Sequence, residues 1–396
     1  MIDPSEALQI VLEKTPGPEP VEVPLLEGVG AVLVEPIASD VDLPPFDKSA
    51  MDGYAVRSED LAHLPVELAV IEVLPAGTAP TRAVEAGTCA KIMTGAPVPA
   101  GADRVVKVED TEALSEGRVR ILRFDAGRNI CVRGEDIRKG ATVLEAGHVL
   151  RPPEIGLLAS VGRERVRVGR RPTVAVLATG DELVPVSAVP GPGQIRDANS
   201  WSLLACCRGA GVPAHSLGVG RDNEADLRAK IAEGLRHDVL LVSGGVSVGE
   251  WDLVPEALRE LGATIHFATV RMKPGKPTLF ATHARGLVFG LPGNPVSTIV
   301  GFHLFVRSAL KKMMGHPDPV PPAVTATLAG ETKVRGNRTA FVPAILRREE
   351  DVWVVEVIET RGSADLVGFS RAEALIALEP GVHEAGSGVQ ALPLQW

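Results

Sequence analysis

The chain has 396 residues, enough at roughly 150 per domain for two or three separately cored units, and its 45% hydrophobic and 23% charged content excludes global disorder. Forty-one Lys plus Arg against fifty Asp plus Glu leave a net charge of −9, which excludes the basic footprint of a nucleic-acid binder. The start, Met1-Ile2-Asp3-Pro4, lacks a basic and apolar leader, and no uncharged apolar run approaches the ~20 residues that span a bilayer, so a cytoplasmic protein without membrane segments is expected.

Cys89, Cys131, Cys206 and Cys207 match neither a disulfide framework nor a CxxC clamp and read as reduced packing residues. The nine histidines show no i, i+4 pairing that would aim two rings at one metal, so any metal is expected to be oxygen-ligated. High Gly and Pro with few aromatics suit short strands and tight turns around aliphatic cores.

In chain order, Ala7, Leu8, Ile10, Val11 and Leu12 after Ser5 predict an amphipathic helix over 4–14 with Ser5 as N-cap, stopped by Pro16-Gly17-Pro18. From about Val21 to Gly147 alternating segments such as 66–73, 105–109 and 119–124, separated by Gly, Pro and Asp, predict a β-rich region. A helix starts at Pro152-Pro153-Glu154. After Pro172 the pattern becomes strand 173–178, helix 200–208, strand 214–219, helix 224–236, strand 239–242 and helix 253–261. That alternation predicts a parallel sheet covered on both faces. A helix over 295–314, a stiff linker over 316–322 and an all-β module from about Ala323 complete the chain.

In a parallel sheet ligands bind beyond the carboxyl ends of the strands, which singles out the loops 179–183, 243–252 and 273–277. Ser243-Gly244-Gly245-Val246-Ser247 offers N–H and hydroxyl donors to an anion and reads equally, taken alone, as a tight turn that needs glycine. Neither GxxxxGK[ST] nor GxGxxG occurs, which removes support for ordinary P-loop and nicotinamide chemistry. Arg271-Met-Lys-Pro-Gly-Lys-Pro277 holds three cations on a proline-bounded loop, a candidate oxyanion receptor. Asp181, Glu182, Asp222, Glu250 and Asp252 place hard oxygen ligands at the same sheet end, as Mg²⁺-assisted phosphoryl chemistry requires; any one of them alone reads better as a helix cap. In the β-rich half, Asp52-Gly53 taken alone reads as a turn, and Thr94 sits in a Pro- and Gly-rich loop.

Together the segments PPFDKSAMDGYAV (44–56), IMTGAPVPAGADRVVKVED (92–110), VRGEDIRKG (132–140), ATGDELV (178–184), GQIRDANS (193–200), VLLVSGGVSVGEWD (239–252), VRMKPGKP (270–277) and FGLPGNPVS (289–297) resemble one family, the molybdopterin molybdenumtransferases of the MoeA and gephyrin E-domain type. The resemblance covers essentially the whole chain. It implies a homodimer of multidomain subunits of α/β and all-β class: a discontinuous connector (18–40 and 140–168), an inserted β-rich domain (41–139), an α/β molybdopterin-binding domain with a parallel sheet (1–17 and 169–318) and a small β-barrel-like C-terminal domain (319–396).

The implied reaction joins adenylyl-molybdopterin and molybdate with Mg²⁺, releases AMP and completes molybdenum cofactor. On the matching positions, Ser243, Gly244, Gly245 and Ser247, with Pro292, Gly293 and Asn294, would bind the pterin substrate. Asp181, Glu182, Asp222 and Asp252 would hold Mg²⁺ or orient the nucleophile, with Asp181, Glu182 and Asp252 as the metal set. Lys273, Lys276 and Ser297 match molybdate-binding positions, and Arg338 and Ser363 look like the C-terminal domain's share of that pocket. Asp52 and Thr94 are expected to complete the partner subunit's site. Ala198, where relatives commonly carry Ser, removes a hydroxyl from a helix cap or phosphate contact. A molybdopterin adenylyltransferase is the implied upstream partner. Two further readings are adenylyl transfer to molybdopterin, against which the extra β domains and the 273–277 loop argue, and a non-enzymatic scaffold like some animal relatives.

Overall fold

The computed structural model describes residues 1–221, 223–246 and 253–394. The chain forms two compact units. One comprises Met1–Glu35, Gly147–Arg151 and the chain from Arg165 onward; the other comprises Pro36–Ala146 and Pro152–Glu164. No helix among the described residues is long and apolar enough to cross a membrane.

In the first unit a six-stranded sheet runs in the order Ala214–Gly220, Val174–Thr179, Val239–Ser243, Gly286–Leu291, Leu279–His283, Thr264–Phe267. Val174–Thr179 and Val239–Ser243 are buried at every position, the continuous apolar pattern of strands covered on both faces. Two cores flank the sheet, one centred on Phe280, Phe289, Phe302 and Phe305, the other on Leu177, Leu240, Ile231 and Leu258.

The first four strands in that order are parallel, whereas the hairpin 279–291 and its neighbour 264–267 pair antiparallel, so the sheet is mixed at one edge. From Val174–Thr179 the chain moves first to one side and then, with Val239–Ser243, to the other. The loops after Thr179 and Ser243 therefore flank the point where strand order reverses.

The N-terminal helix spans Pro4–Lys14 and buries Ala7 and Val11. Its N-cap is Asp3, with Pro4 at the first helical position, rather than the expected Ser5. The Asp3 carboxylate makes no capping bond because Arg271 Nε donates to its Oδ1 at 2.5 Å. Lys312 Nζ donates to Leu12 O at 2.6 Å and ties the helix to the segment 307–313. The long helix expected over 295–314 is interrupted by a π-helical turn, Phe302–Val306, between Pro295–Gly301 and Arg307–Met313.

The same unit ends in a closed sheet. Thr339–Glu349, Val352–Val357, Val324–Leu328, Gly388–Pro393 and Ala374–Leu378 pair in turn, and Ala374–Leu378 returns to Thr339–Glu349. Met272–Lys273 adds to this barrel in parallel, Met272 opposite Thr339 and Lys273 opposite Ala340.

The second unit is built on another six-stranded sheet, ordered Arg104–Lys107, Gly53–Val56, Thr88–Ile92, Val66–Leu74, Arg118–Ile121, Thr111–Ala113. Gly53 opens a central strand of this sheet instead of serving as a turn residue. It lies between Ile92 and Lys107, and a Cβ there would collide with the Val106 carbonyl.

Candidate functional site

Two adjoining cavities lie in the first unit and share the Pro292–Pro295 segment. The inner crevice, about 350 Å³, occupies the strand-order switch and is lined by Thr179, Gly180, Glu182, Asp197, Asn199, Ser243, Gly244, Gly245 and Gly293, among others. Gly244 and Gly245 adopt φ of +92° and +62°, and a Cβ on either would meet Thr179 Oγ1 within 3 Å. Both glycines are therefore needed for backbone conformation and for close packing, and the same absence of side chains opens the backbone to a ligand.

Asn199 Nδ2 donates to Ser243 Oγ at 2.8 Å and to Gly293 O at 2.7 Å, and Ser243 Oγ donates to Pro292 O at 3.4 Å. The Ser243 hydroxyl is thus spent on joining the sheet to the 292–294 loop. Asn199 went unassigned in the sequence although it stands inside the GQIRDANS segment; its position opening a helix was the available signal. Replacing Asn199 with Ala is expected to cost about 1–2 kcal/mol. Urea unfolding checks this, and an unchanged midpoint would remove Asn199 as the brace.

Asp197, buried in the same segment, accepts from Ser200 N at 3.0 Å and caps the helix Asn199–Gly209. This cap needs no hydroxyl at Ala198. Glu182 lines the crevice, and a Cβ on Gly180 would meet its Oε2 at 2.5 Å. Asp181 is not among the lining residues; Arg221 donates to its carbonyl at 3.2 Å and approaches its carboxylate at 4.0 Å. Asp222, Ser247, Glu250 and Asp252 lie outside the described residues. Among the described residues no group of three His, Cys, Asp or Glu is placed to hold a metal. With Asp197 committed to the helix cap, Glu182 is, among the described residues, the carboxylate that remains along the crevice, a hard oxygen donor of the kind Mg²⁺ takes.

The outer cavity, about 610 Å³, collects Lys273, Lys276, Pro292, Asn294, Ser297, Arg338 and Ser363. The pairing of Met272–Lys273 with Thr339–Ala340 brings the cationic loop and Arg338 together, and Arg338 Nη1 donates to Met272 O at 3.2 Å. The loop backbone is held by Val270 N to Lys276 O at 2.9 Å and by Thr278 Oγ1 to Gly275 O at 2.7 Å. Asn294 Nδ2 donates to Ser363 Oγ at 2.9 Å, and Val296 N donates to Ser363 O at 3.1 Å, which fixes the segment around Gly362 against the 292–296 loop. The Lys273 and Lys276 side chains form no hydrogen bond or ion pair among the described residues. Five cations, Lys273, Lys276, Lys333, Arg335 and Arg338, face one acid, Glu359, so the cavity favours an anion.

In the second unit, Asp52 Oδ1 accepts from Thr94 N at 2.7 Å and from Thr94 Oγ1 at 2.8 Å. These two donors, the backbone one foremost, hold the Asp52 carboxyl below the usual range and keep it an anion. Thr94→Val removes the hydroxyl donor, and the Asp52 carboxyl is expected to titrate at higher pH than in the parent protein, read by carboxyl NMR. An unmoved titration would show that the hydroxyl contributes nothing.

Residues 2–162 match the MoeA N-terminal region (domain I and II), 175–312 match a probable molybdopterin binding domain, and 325–394 match the MoeA C-terminal region (domain IV). A molybdopterin molybdenumtransferase of Mycobacterium tuberculosis is 36% identical over 396 residues, covering 97% of each chain. One from a Nostoc species is 35% identical over 377 residues, 92% of this chain and 86% of its own. The crystal structure of a MoeA protein from Pyrococcus horikoshii superposes with a TM-score of 0.83 at 30% identity, over 99% of this chain and 100% of that one. With relatives of this identity aligned along nearly its full length and a matching multidomain fold, the chain belongs to the MoeA family, whose curated relatives carry the name molybdopterin molybdenumtransferase.

Proposed function

We propose that this chain is a molybdopterin molybdenumtransferase of molybdenum cofactor biosynthesis, which takes adenylyl-molybdopterin and molybdate, with Mg²⁺, and releases AMP. The observation that carries this reading is the convergence of Lys273, Lys276, Ser297, Arg338 and Ser363, from separate stretches of the chain, on one cationic cavity beside the strand-switch crevice. Lys273, Lys276 and Arg338 would offset the two negative charges of molybdate, while Ser297 and Ser363, which line the same cavity, would supply hydroxyls to its oxygens. The Gly244 N–H is bonded to Leu291 O at 3.0 Å, so the pterin phosphate would approach the turn at Gly245, and Pro292-Gly293-Asn294 would set the boundary across which the two substrates meet.

Glu182, which lines the crevice, would orient the water that opens the phosphoanhydride or hold Mg²⁺ there. The family resemblance implies that Glu182, Asp181 and Asp252 would hold Mg²⁺, which when bound neutralises phosphate charge; of the three, Glu182 lines the crevice, Asp181 does not, and Asp252 lies outside the described residues. As in the family resemblance, we place Asp52 and Thr94 in the service of the partner subunit's site within a homodimer, and a molybdopterin adenylyltransferase upstream as the source of substrate.

Purified protein incubated with adenylyl-molybdopterin, Mg²⁺ and molybdate is expected to yield AMP together with cofactor that reconstitutes a molybdenum apoenzyme. Absence of both products from folded protein overturns the reading.

A further inference from the structure

We propose that Lys333 and Arg335 form an outer capture site for the oxyanion, through which molybdate passes before it reaches Lys273, Lys276 and Arg338. This rests on the reading of the cavity as the molybdate pocket and adds to it residues that belong to neither substrate's expected contacts. The size of the cavity is the first argument. A tetrahedral oxyanion has four oxygens, each comparable to a water with ~30 Å³ of liquid volume, and so fills roughly a fifth of the 610 Å³. The remaining space is lined in part by Thr332, Lys333, Val334 and Arg335.

Placement is the second argument. Lys333 lies on the short strand Thr332–Val334, which pairs with Gly381–His383, and Arg335 follows directly after it. The two residues are two apart in extended backbone, so their side chains share one face, and both are exposed. Neither side chain makes a hydrogen bond or ion pair among the described residues, so both cations are open to an incoming anion there. Arg338, by contrast, is half-buried and anchored on Met272 O, as suits a final binding position. Exposed cations at the mouth of a cleft attract a dianion from a distance set by the screening length, about 10 Å at 0.1 M salt. Against a net charge of −9, these two cations give an incoming dianion a locally attractive approach to the cavity.

The test compares the parent protein with the double variant Lys333→Ala/Arg335→Ala, the charge-preserving Lys333→Arg/Arg335→Lys, and Lys276→Ala. KM for molybdate and kcat are measured by AMP release across a range of salt, and molybdate binding is measured by equilibrium dialysis. At low salt the alanine pair is expected to raise KM and the dialysis Kd roughly tenfold with kcat retained. That gap should shrink as salt is added, and the charge-preserving pair should behave like the parent. A parent-like KM and salt dependence in the alanine pair, while Lys276→Ala is inactive, overturns the capture site alone. If the parent neither binds nor consumes molybdate, the reading of the cavity falls and the capture site with it.

Discussion

Lys276→Ala is expected to reduce molybdate-dependent AMP release by roughly a thousandfold while leaving the protein folded. The lysine is exposed, and its loop is held by backbone bonds of residues 270, 275, 276 and 278 together with the Thr278 hydroxyl, none of which uses the ammonium group. Truncation therefore removes charge from the cavity without removing support from the loop. A close pair of unit charges at an effective dielectric of 20 is worth about 4 kcal/mol before desolvation. At about 1.4 kcal/mol per factor of ten, that is close to three powers of ten. Lys276→Arg is expected to recover only part of the loss, because a planar fork replaces a compact point charge at a loop bounded by Pro274 and Pro277. Single-turnover AMP release and thermal unfolding, measured on the same preparations, decide the matter. Turnover within threefold of the parent would remove Lys276 from the oxyanion pocket.

How far the sequence could lead to this pocket depends on the range of the interactions that build it. Val174–Thr179 and Val239–Ser243 were legible because a strand buried on both faces must be apolar at consecutive positions. The edge hairpin 279–291 was not. Only its last residues, 289–291, fall in a segment that carries the resemblance, FGLPGNPVS, and ladder direction is a property of pairing, not of local pattern. Asp3 rather than Ser5 is the N-cap because Pro4 takes the first helical position, and the partner that holds the Asp3 carboxylate, Arg271, lies 268 residues away in the chain.

The loops themselves were visible as loops, from their glycines and prolines. Their convergence was not, since Lys273 meets Arg338 through a ladder between Met272 and Thr339. Family resemblance supplied that grouping, which composition and spacing could not. Gly53 shows the opposite case: Asp-Gly suggested a turn, but the sheet needed a residue without a side chain beside Val106.

The second large effect is expected at the other end of the sheet. Asp238 accepts from Arg170 Nη2 at 2.7 Å and Nη1 at 2.9 Å, and from Thr173 N and Oγ1 at 2.7 and 2.8 Å. Arg170 also donates through Nε to Glu19 at 2.7 Å, so one carboxylate joins the segment before Pro20–Pro24 to the starts of two central strands. The Arg170 guanidinium, followed by the Thr173 donors, lowers the Asp238 carboxyl to about 2 against the opposing effect of burial. Because the folded value lies below the unfolded one, near 3.9, this contribution is present in full above about pH 4 and is lost as pH falls through about 2. With the side chain only 20% exposed, Asp238→Ala is expected to cost about 3 kcal/mol at pH 7, since it removes two of the Arg170 guanidinium's carboxylate bonds and leaves two Thr173 donors without their acceptor. Asp238→Asn keeps the shape but not the charge, and should flatten the loss of stability between pH 4 and 2 that the parent shows. Urea unfolding of the three proteins at pH 7 and at pH 3 separates these effects. If Asp238→Asn retains both the parent's midpoint and its acid sensitivity, the carboxylate is not what fastens the base of the sheet.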